Sequence, residues 1–439
     1  MLQRMQARVH GADSKAAYLT AMNRRRVSTS IRVPSWHVEC IYYCVVAYSL
    51  VSAYLGIEIR LVAAGATAIL AGFCYTKLGS YATRPISVLL ACAASFVLIQ
   101  ILVHGISPLD SLIRGFIVWM CGMVVVQSLG YRTGFLQRCT IVIFLLGLIA
   151  VPSLRYGDAG SAERAAAGIQ LSGNLQNANG LGAWFGFCFV SFALLGLETR
   201  RLTGRTLYWV AATASLLIAG LSVSRTAMLG GAIAVVLGFR DILRRGFVPL
   251  LALLVLTGVV LEAGLFDRVV SMYEARGLED TGRLILWPEV LKRIATSPIV
   301  GFGVNGLTTY VPQRGSAITT PHNSFLFFAL SGGIVPLFLW TLFWFGRGRR
   351  LILQGPARQY ARFQLPFFCY LLVQFISGDL NNDPWTTLAV TVMAAPAFSR
   401  SRLRPAFTTT RGASNHQTVA PRLRHRVESP APQRPSTAH

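Results

Sequence analysis

The chain has 439 residues, of which 53% are hydrophobic and only 13% charged, yet its formal net charge is +24. Its apolar residues come in blocks of about twenty, the length of helix that crosses the ~30 Å hydrocarbon core while satisfying its own backbone hydrogen bonds. This excludes a soluble globular protein, and it excludes a membrane barrel, which needs alternating segments of ~10 residues.

In chain order, a polar and basic segment comes first (1–35), and the long apolar block behind it argues for a retained helix rather than a cleaved signal peptide. Apolar spans follow at roughly 36–56, 61–76, 85–103, 111–128, 139–154, 181–197, 207–221, 226–239 and 249–265. A long polar loop, 266–322, separates these from three more spans at 323–345, 363–377 and 385–398, and a tail rich in Pro, Ser, Thr and Arg (399–439) reads as disordered. The expectation is an all-α integral membrane protein of about 12 transmembrane helices, with spans 1–9 in 36–265, spans 10–12 in 323–398 and a partly helical loop between spans 9 and 10. All eight cysteines lie in or beside apolar blocks, so no disulfide is expected.

Charge orients the spans. With both termini in the cytoplasm, every cytoplasmic loop is basic (Lys77 and Arg84; Arg132 and Arg138; Arg200, Arg201 and Arg205), as the positive-inside rule requires. The tails carry no aromatic interleaving and no folded motif. Topology and attraction to membrane lipids account for their charge, and nucleic acid is not an expected partner.

Ten arginines and Lys292 fall on the other side, against that rule, Arg225, Arg283 and Arg293 among them. Arg225 stands between two spans in LSVSRTAML, where a guanidinium must snorkel, pair or serve a site. The hydroxyls of Ser222, Ser224 and Thr226 around a helix start favour an anion there. Arg283 opens TGRLILWPEVLKRIATSP, a loop position where solvation is the ordinary state. In that segment Trp287, Val290, Leu291 and Ile294 share one face, a pattern suited to a helix lying on the membrane surface. IVGFGVNG follows, and Gly301 and Gly303 permit tight turns. His322 enters the next apolar run in TTPHNSFLFF. Imidazole titrates near neutrality and suits proton transfer.

If these groups met, two arginines could grip a diphosphate and offset the charge growing on a leaving group, while His322 accepted a proton from an incoming hydroxyl. Asp379 and Asp383 in GDLNNDPW could orient the imidazole or act as base themselves. No metal-ligand constellation is apparent outside, so neither a metal nor another cofactor is expected.

The order of SxSRTAML (222–229), TGRLILWPEVLKRIATSPIVGFGVNG (281–306) and PHNSFLFFALSGGIVPL (321–337), with NLQNANG (174–180) upstream, resembles the O-antigen ligase/polymerase superfamily. The resemblance implies a C-type glycosyltransferase in the bacterial inner membrane that works at the periplasmic face on an undecaprenyl-pyrophosphate-linked glycan. In its ligase branch the glycan passes to the lipid A-core oligosaccharide without ATP or metal. It implies pyrophosphate binding by Arg225 and Arg283, acceptor activation by His322, and shaping or substrate contacts from Trp287, Asn323 and Asn179, with Arg293 secondary. An O-antigen polymerase and a protein O-oligosaccharyltransferase share the motifs. A multi-span transporter or flippase is the alternative of another class, although no internal repeat is found and the charges sit at span ends.

Overall fold

The computed structural model describes residues 34–55, 60–79, 83–156, 167–171, 174–177, 179–238, 267, 283–312, 316–318, 320–354, 359–378 and 384–394. The two tails, the expected span 249–265, and Asp379 and Asp383 lie outside the described residues.

The first five helices are α1 (Trp36–Leu55), α2 (Arg60–Leu78), α3 (Ser87–Leu102), α4 (Ser111–Leu129) and α5 (Phe135–Ala150). Each occupies a predicted apolar block. The start of α4 is fixed by Asp110, whose carboxylate accepts from the amides of Leu112 (2.8 Å) and Ile113 (3.4 Å), two donors that the helix itself cannot satisfy. Between α5 and α6 (Asn179–Glu198) runs an antiparallel sheet in the order β1 (Leu154–Tyr156), β2 (Ala167–Leu171), β3 (Asn174–Asn177). Leu154 pairs with Ile169, and Gly168 with Asn177. No strand was predicted there.

α7 (Leu202–Leu221) and α8 (Arg225–Ile233) follow, and α8 runs on as a π-helical stretch to Gly238. Then come α9 (Arg283–Thr296), the hairpin β4 (Thr309–Val311) with β5 (Ser316–Ile318), α10 (Ser324–Gly332), α11 (Ile334–Gln354), α12 (Gln359–Ser377) and α13 (Pro384–Ala394). Among the described residues, three stretches are long and apolar enough to cross a membrane by themselves: Arg84–Leu102, Ser111–Leu129 and Gly180–Glu198. The last is almost wholly enclosed, packing against α5, α7, α8, α12 and α13. That enclosure is why α6 is apolar around its whole circumference. The chain is a multi-pass, helical membrane protein.

One predicted span differs. Residues 323–345 form two helices, because Gly333 turns the chain at φ +73° and its amide proton reaches back to the carbonyl of Ala329. A side chain there would place Cβ 2.1 Å from the carbonyl oxygen of Ile299, which the loop 297–303 presses against the break. That loop pairs with the end of α10 through Phe302 N–H to Leu330 O (2.7 Å) and Gly303 N–H to Ser331 O (3.0 Å). From α3, the buried Gln100 clamps both partners: its Nε2 donates to Ser331 O (2.8 Å) and its Oε1 accepts from Val304 N–H (2.9 Å). The nine-residue α10 is thus held inside the bundle.

Its inner end meets an aromatic layer. Phe96 and Phe116 lie with centroids 4.3 Å apart, Phe328 and Trp340 at 5.2 Å, and Trp340 and Phe375 at 5.3 Å, joining α3, α4, α10, α11 and α12. Tilted and edge-on pairs of this kind add ~0.5–1.5 kcal/mol each beyond the area they bury. At the opposite pole the fully buried Glu39 of α1 receives Arg132 (2.7 Å) from the α4–α5 connection and Arg138 (2.7 Å) from the first turn of α5. Two of the basic residues that orient the spans thereby share one carboxylate, which offsets one of their two charges.

Candidate functional site

The N-terminal ends of four helices, α6, α8, α9 and α10, carry most of the candidate residues. Arg225 is the first residue of α8, behind a turn in which Val223 has φ +52° and is fully buried. Ser224 caps that helix, its Oγ accepting from the amide of Ala227 (3.4 Å). Because α8 starts here, the positive end of its dipole and the Arg225 guanidinium act in the same place. α6 closes in from the side: a Cβ at Gly182 would lie 2.3 Å from Ser222 Oγ and 2.4 Å from Ser224 Cβ. Gly182 lies one turn beyond Asn179, so the expected Asn179 starts α6 at the same end of the bundle.

His322 stands just before Asn323, the residue that precedes α10, and is exposed with φ +49°. Its Nδ1 lies 3.3 Å from Thr320 Oγ1. Among the described residues, Val223 and His322 are the two non-glycine residues with positive φ. A left-handed backbone costs such residues ~1–3 kcal/mol and persists only where the surroundings over-determine it. Both lie in the turns that present the candidate residues.

The end of α12 ties these turns together. Gln374 donates from Nε2 to the carbonyl of Thr226 (3.1 Å), next to Arg225. The following carbonyl, Phe375 O, accepts from Ser324 Oγ (2.9 Å), and Ile376 O accepts from Asn323 Nδ2 (3.0 Å). Asn323 simultaneously caps α10, its Oδ1 accepting from the amides of Phe325 (2.9 Å) and Leu326 (3.1 Å). The last carbonyls of a helix have no partner within it. Here α10's first residues supply partners for α12's last ones, and opposite dipole ends meet. Asn323 serves as cap of α10 and strut to α12.

α9 joins from the loop. Its residues Leu286 and Val290 are fully buried with Leu330 and Val311, and Trp287 and Ile294 pack beside them. Trp287 Nε1 donates to the carbonyl of Pro321 (3.1 Å), fixing the residue before His322. Arg283 precedes Trp287 by one turn on the same side of α9, and is partly buried. The face expected to lie on the membrane therefore packs on protein, except for Leu291, which points out with 55% exposure.

Arg293 does not join the group. It lies ten positions along α9 from Arg283, about 15 Å at 1.5 Å per residue, with its guanidinium over the Phe302 ring at 4.6 Å. Gly301 and Gly303 fit the loop against α10 and His104. Sequence reasoning missed Gln374, a polar residue within a predicted span, which is itself a signal of function or of a helix contact.

Residues 210–341 match the family model described as O-Antigen ligase. The matched segment contains Arg225, Arg283, Trp287, His322 and Asn323. No curated protein matches the chain.

Proposed function

We propose, from a chain that belongs over residues 210–341 to the O-antigen ligase superfamily, that this membrane enzyme transfers a glycan from undecaprenyl pyrophosphate to the lipid A-core oligosaccharide at the periplasmic face of the inner membrane. The observation that carries the reading is the pairing of two strained turns: Val223 before Arg225, and His322 itself, cross-tied by the end of α12.

In this mechanism Arg225 and Arg283 bind the diphosphate oxygens. Charge-assisted, bidentate hydrogen bonds to oxyanions are stronger than neutral ones and match the planar guanidinium. His322 takes the proton of the acceptor hydroxyl as its oxygen attacks the anomeric carbon. The bond from that carbon to the phosphate oxygen breaks, and its electron pair leaves on undecaprenyl pyrophosphate. Negative charge accumulates on the diphosphate, where two fixed cations and the α8 N-terminus stabilise it most. ATP has no role, because the donor bond is already activated, and the two arginines supply the positive charge for which many transferases use a divalent ion.

Purified protein, lipid-linked glycan and rough lipopolysaccharide should together yield a ladder without ATP and in the presence of a chelator. Absence of a ladder with flux of glycan across vesicles would replace the ligase with a transporter. A second reading, O-antigen polymerase, is favoured by the β1–β3 sheet, which makes the segment between α5 and α6 a second structured loop. Chain growth on the lipid-linked donor in the absence of lipopolysaccharide would establish it.

A further inference from the structure

α9 presents three faces, and only two have a partner so far. Successive helical residues advance by ~100°, so Leu286, Val290 and Ile294 form the face docked on α10 and β4. Glu289, Lys292 and Thr296 form a polar arc, with Lys292 Nζ 2.8 Å from Glu289 Oε1. Between them on the remaining side lie Pro288, Leu291 and Ala295, all exposed. An apolar arc of this kind on a loop helix is costly in water.

The arc continues into a second surface. α9 runs into Pro298 and Ile299, and the Ile299 carbonyl accepts from the amide of Ile334, the first residue of α11. Ile299 is 70% exposed, and from Ile334 the exposed positions of α11 follow at helical spacing: Phe338, Leu342 and Phe345. That stripe is the outward, apolar face of a bundle helix, and in a multi-pass membrane protein such a face meets acyl chains. Arg349 and Arg350, exposed at its far end, mark where it leaves the hydrocarbon.

We infer that the Pro288–Leu291–Ala295 arc of α9 lies in the lipid of the leaflet into which the α11 stripe runs, making α9 an interfacial helix with one face on protein, one in acyl chains and one in water. A helix with these faces lies in the plane of the interface with its apolar side a few ångströms into the acyl boundary. The bilayer then sets the height of α9, and with it Arg283 at its first turn and the Trp287 bond to Pro321 beside His322. The candidate residues come to the headgroup level, where the diphosphate of a lipid-linked donor resides. The inference rests on the membrane embedding of the chain and not on the reaction it performs.

The test uses the full chain in lipid nanodiscs, with Cys40 and Cys44 replaced by serine and an environment-sensitive fluorophore on Leu291→Cys, Ala295→Cys or Glu289→Cys. The labels at 291 and 295 should be shifted to the blue and quenched by lipids carrying a nitroxide on the acyl chain, while aqueous iodide has little effect. The label at 289 should show the reverse. Iodide quenching at 291 and 295 equal to that at 289 overturns the inference in favour of a solvated face. Protection of 291 and 295 from both quenchers overturns it in favour of a protein partner. Two positions are probed because either substitution alone could disturb folding, and each label is read only in a monodisperse sample. No step depends on glycan transfer, so failure here leaves the proposed reaction standing, and the converse holds.

Discussion

Replacing Asn323 separates two contributions that the structure assigns to one side chain. Asn323→Ala removes the cap of α10, worth about 0.5–2 kcal/mol, because the amides of Phe325 and Leu326 lose their acceptor. It also strips the Ile376 carbonyl of its donor. Asn323 is only 8% exposed, so water does not readily replace that bond, and a buried carbonyl left unpaired costs about 1–3 kcal/mol. The two together amount to about 1.5–5 kcal/mol. A serine caps as well as asparagine, but its hydroxyl is too short to reach α12. Asn323→Ser should therefore recover the first contribution and not the second. In detergent, the apparent Tm should fall in the order wild type, Ser, Ala, and by several degrees for Ala, at no more than about 2–4 °C per kcal/mol. Equal loss in Ser and Ala would refute the capping argument, and an unchanged Tm in Ala would refute both contributions.

Gln374→Leu removes the bond to the Thr226 carbonyl next to Arg225 while keeping the volume, and should lower transfer by roughly two- to tenfold, chiefly through weaker donor binding. A normal KM for the donor would remove Gln374 from the positioning of Arg225. Trp287→Phe keeps the ring in its packed site and deletes the bond to Pro321. Its turnover should drop by a similar factor, roughly two- to tenfold, with donor affinity retained, as initial rates at saturating donor would reveal. Gly182→Ala drives a methyl group into Ser222 and Ser224, so the turn bearing Arg225 must shift. Activity should be lost while α6 stays folded by circular dichroism, and wild-type rates would show that the contact can relax.

The helical membrane character was legible because a run of about twenty apolar residues has few ways to fold in lipid. The break at Gly333 was not, since SGGIVP keeps the hydropathy of its surroundings and only the pressing loop 297–303 reveals why the helix stops. Arg225 and His322 stood out as charge and imidazole at span ends. Their coupling was hidden, because it runs through the carbonyls of Thr226, Phe375 and Ile376, which every residue possesses. Asn323 was readable as a cap from its place before Ser-Phe-Leu, a role that stands beside the substrate contact the family resemblance implies. In α9 the periodicity marked one apolar face correctly and assigned it to the wrong neighbour. Leu291 was grouped with Trp287 and Val290, and the second arc that it belongs to went unnoticed. The β1–β3 sheet left no alternation strong enough to mark it.

The central claim is that Arg225, Arg283 and His322 act on one diphosphate-linked donor, with the arginines binding and the histidine transferring a proton. Equilibrium binding of undecaprenyl pyrophosphate, measured beside single-turnover transfer for Arg225→Ala, Arg283→Ala and His322→Ala, tests it most directly. The account predicts that each arginine variant loses affinity for the lipid diphosphate, whereas His322→Ala binds as wild type does and transfers ~10²–10⁴-fold more slowly. Unchanged affinity in both arginine variants, or wild-type transfer by His322→Ala, would contradict it.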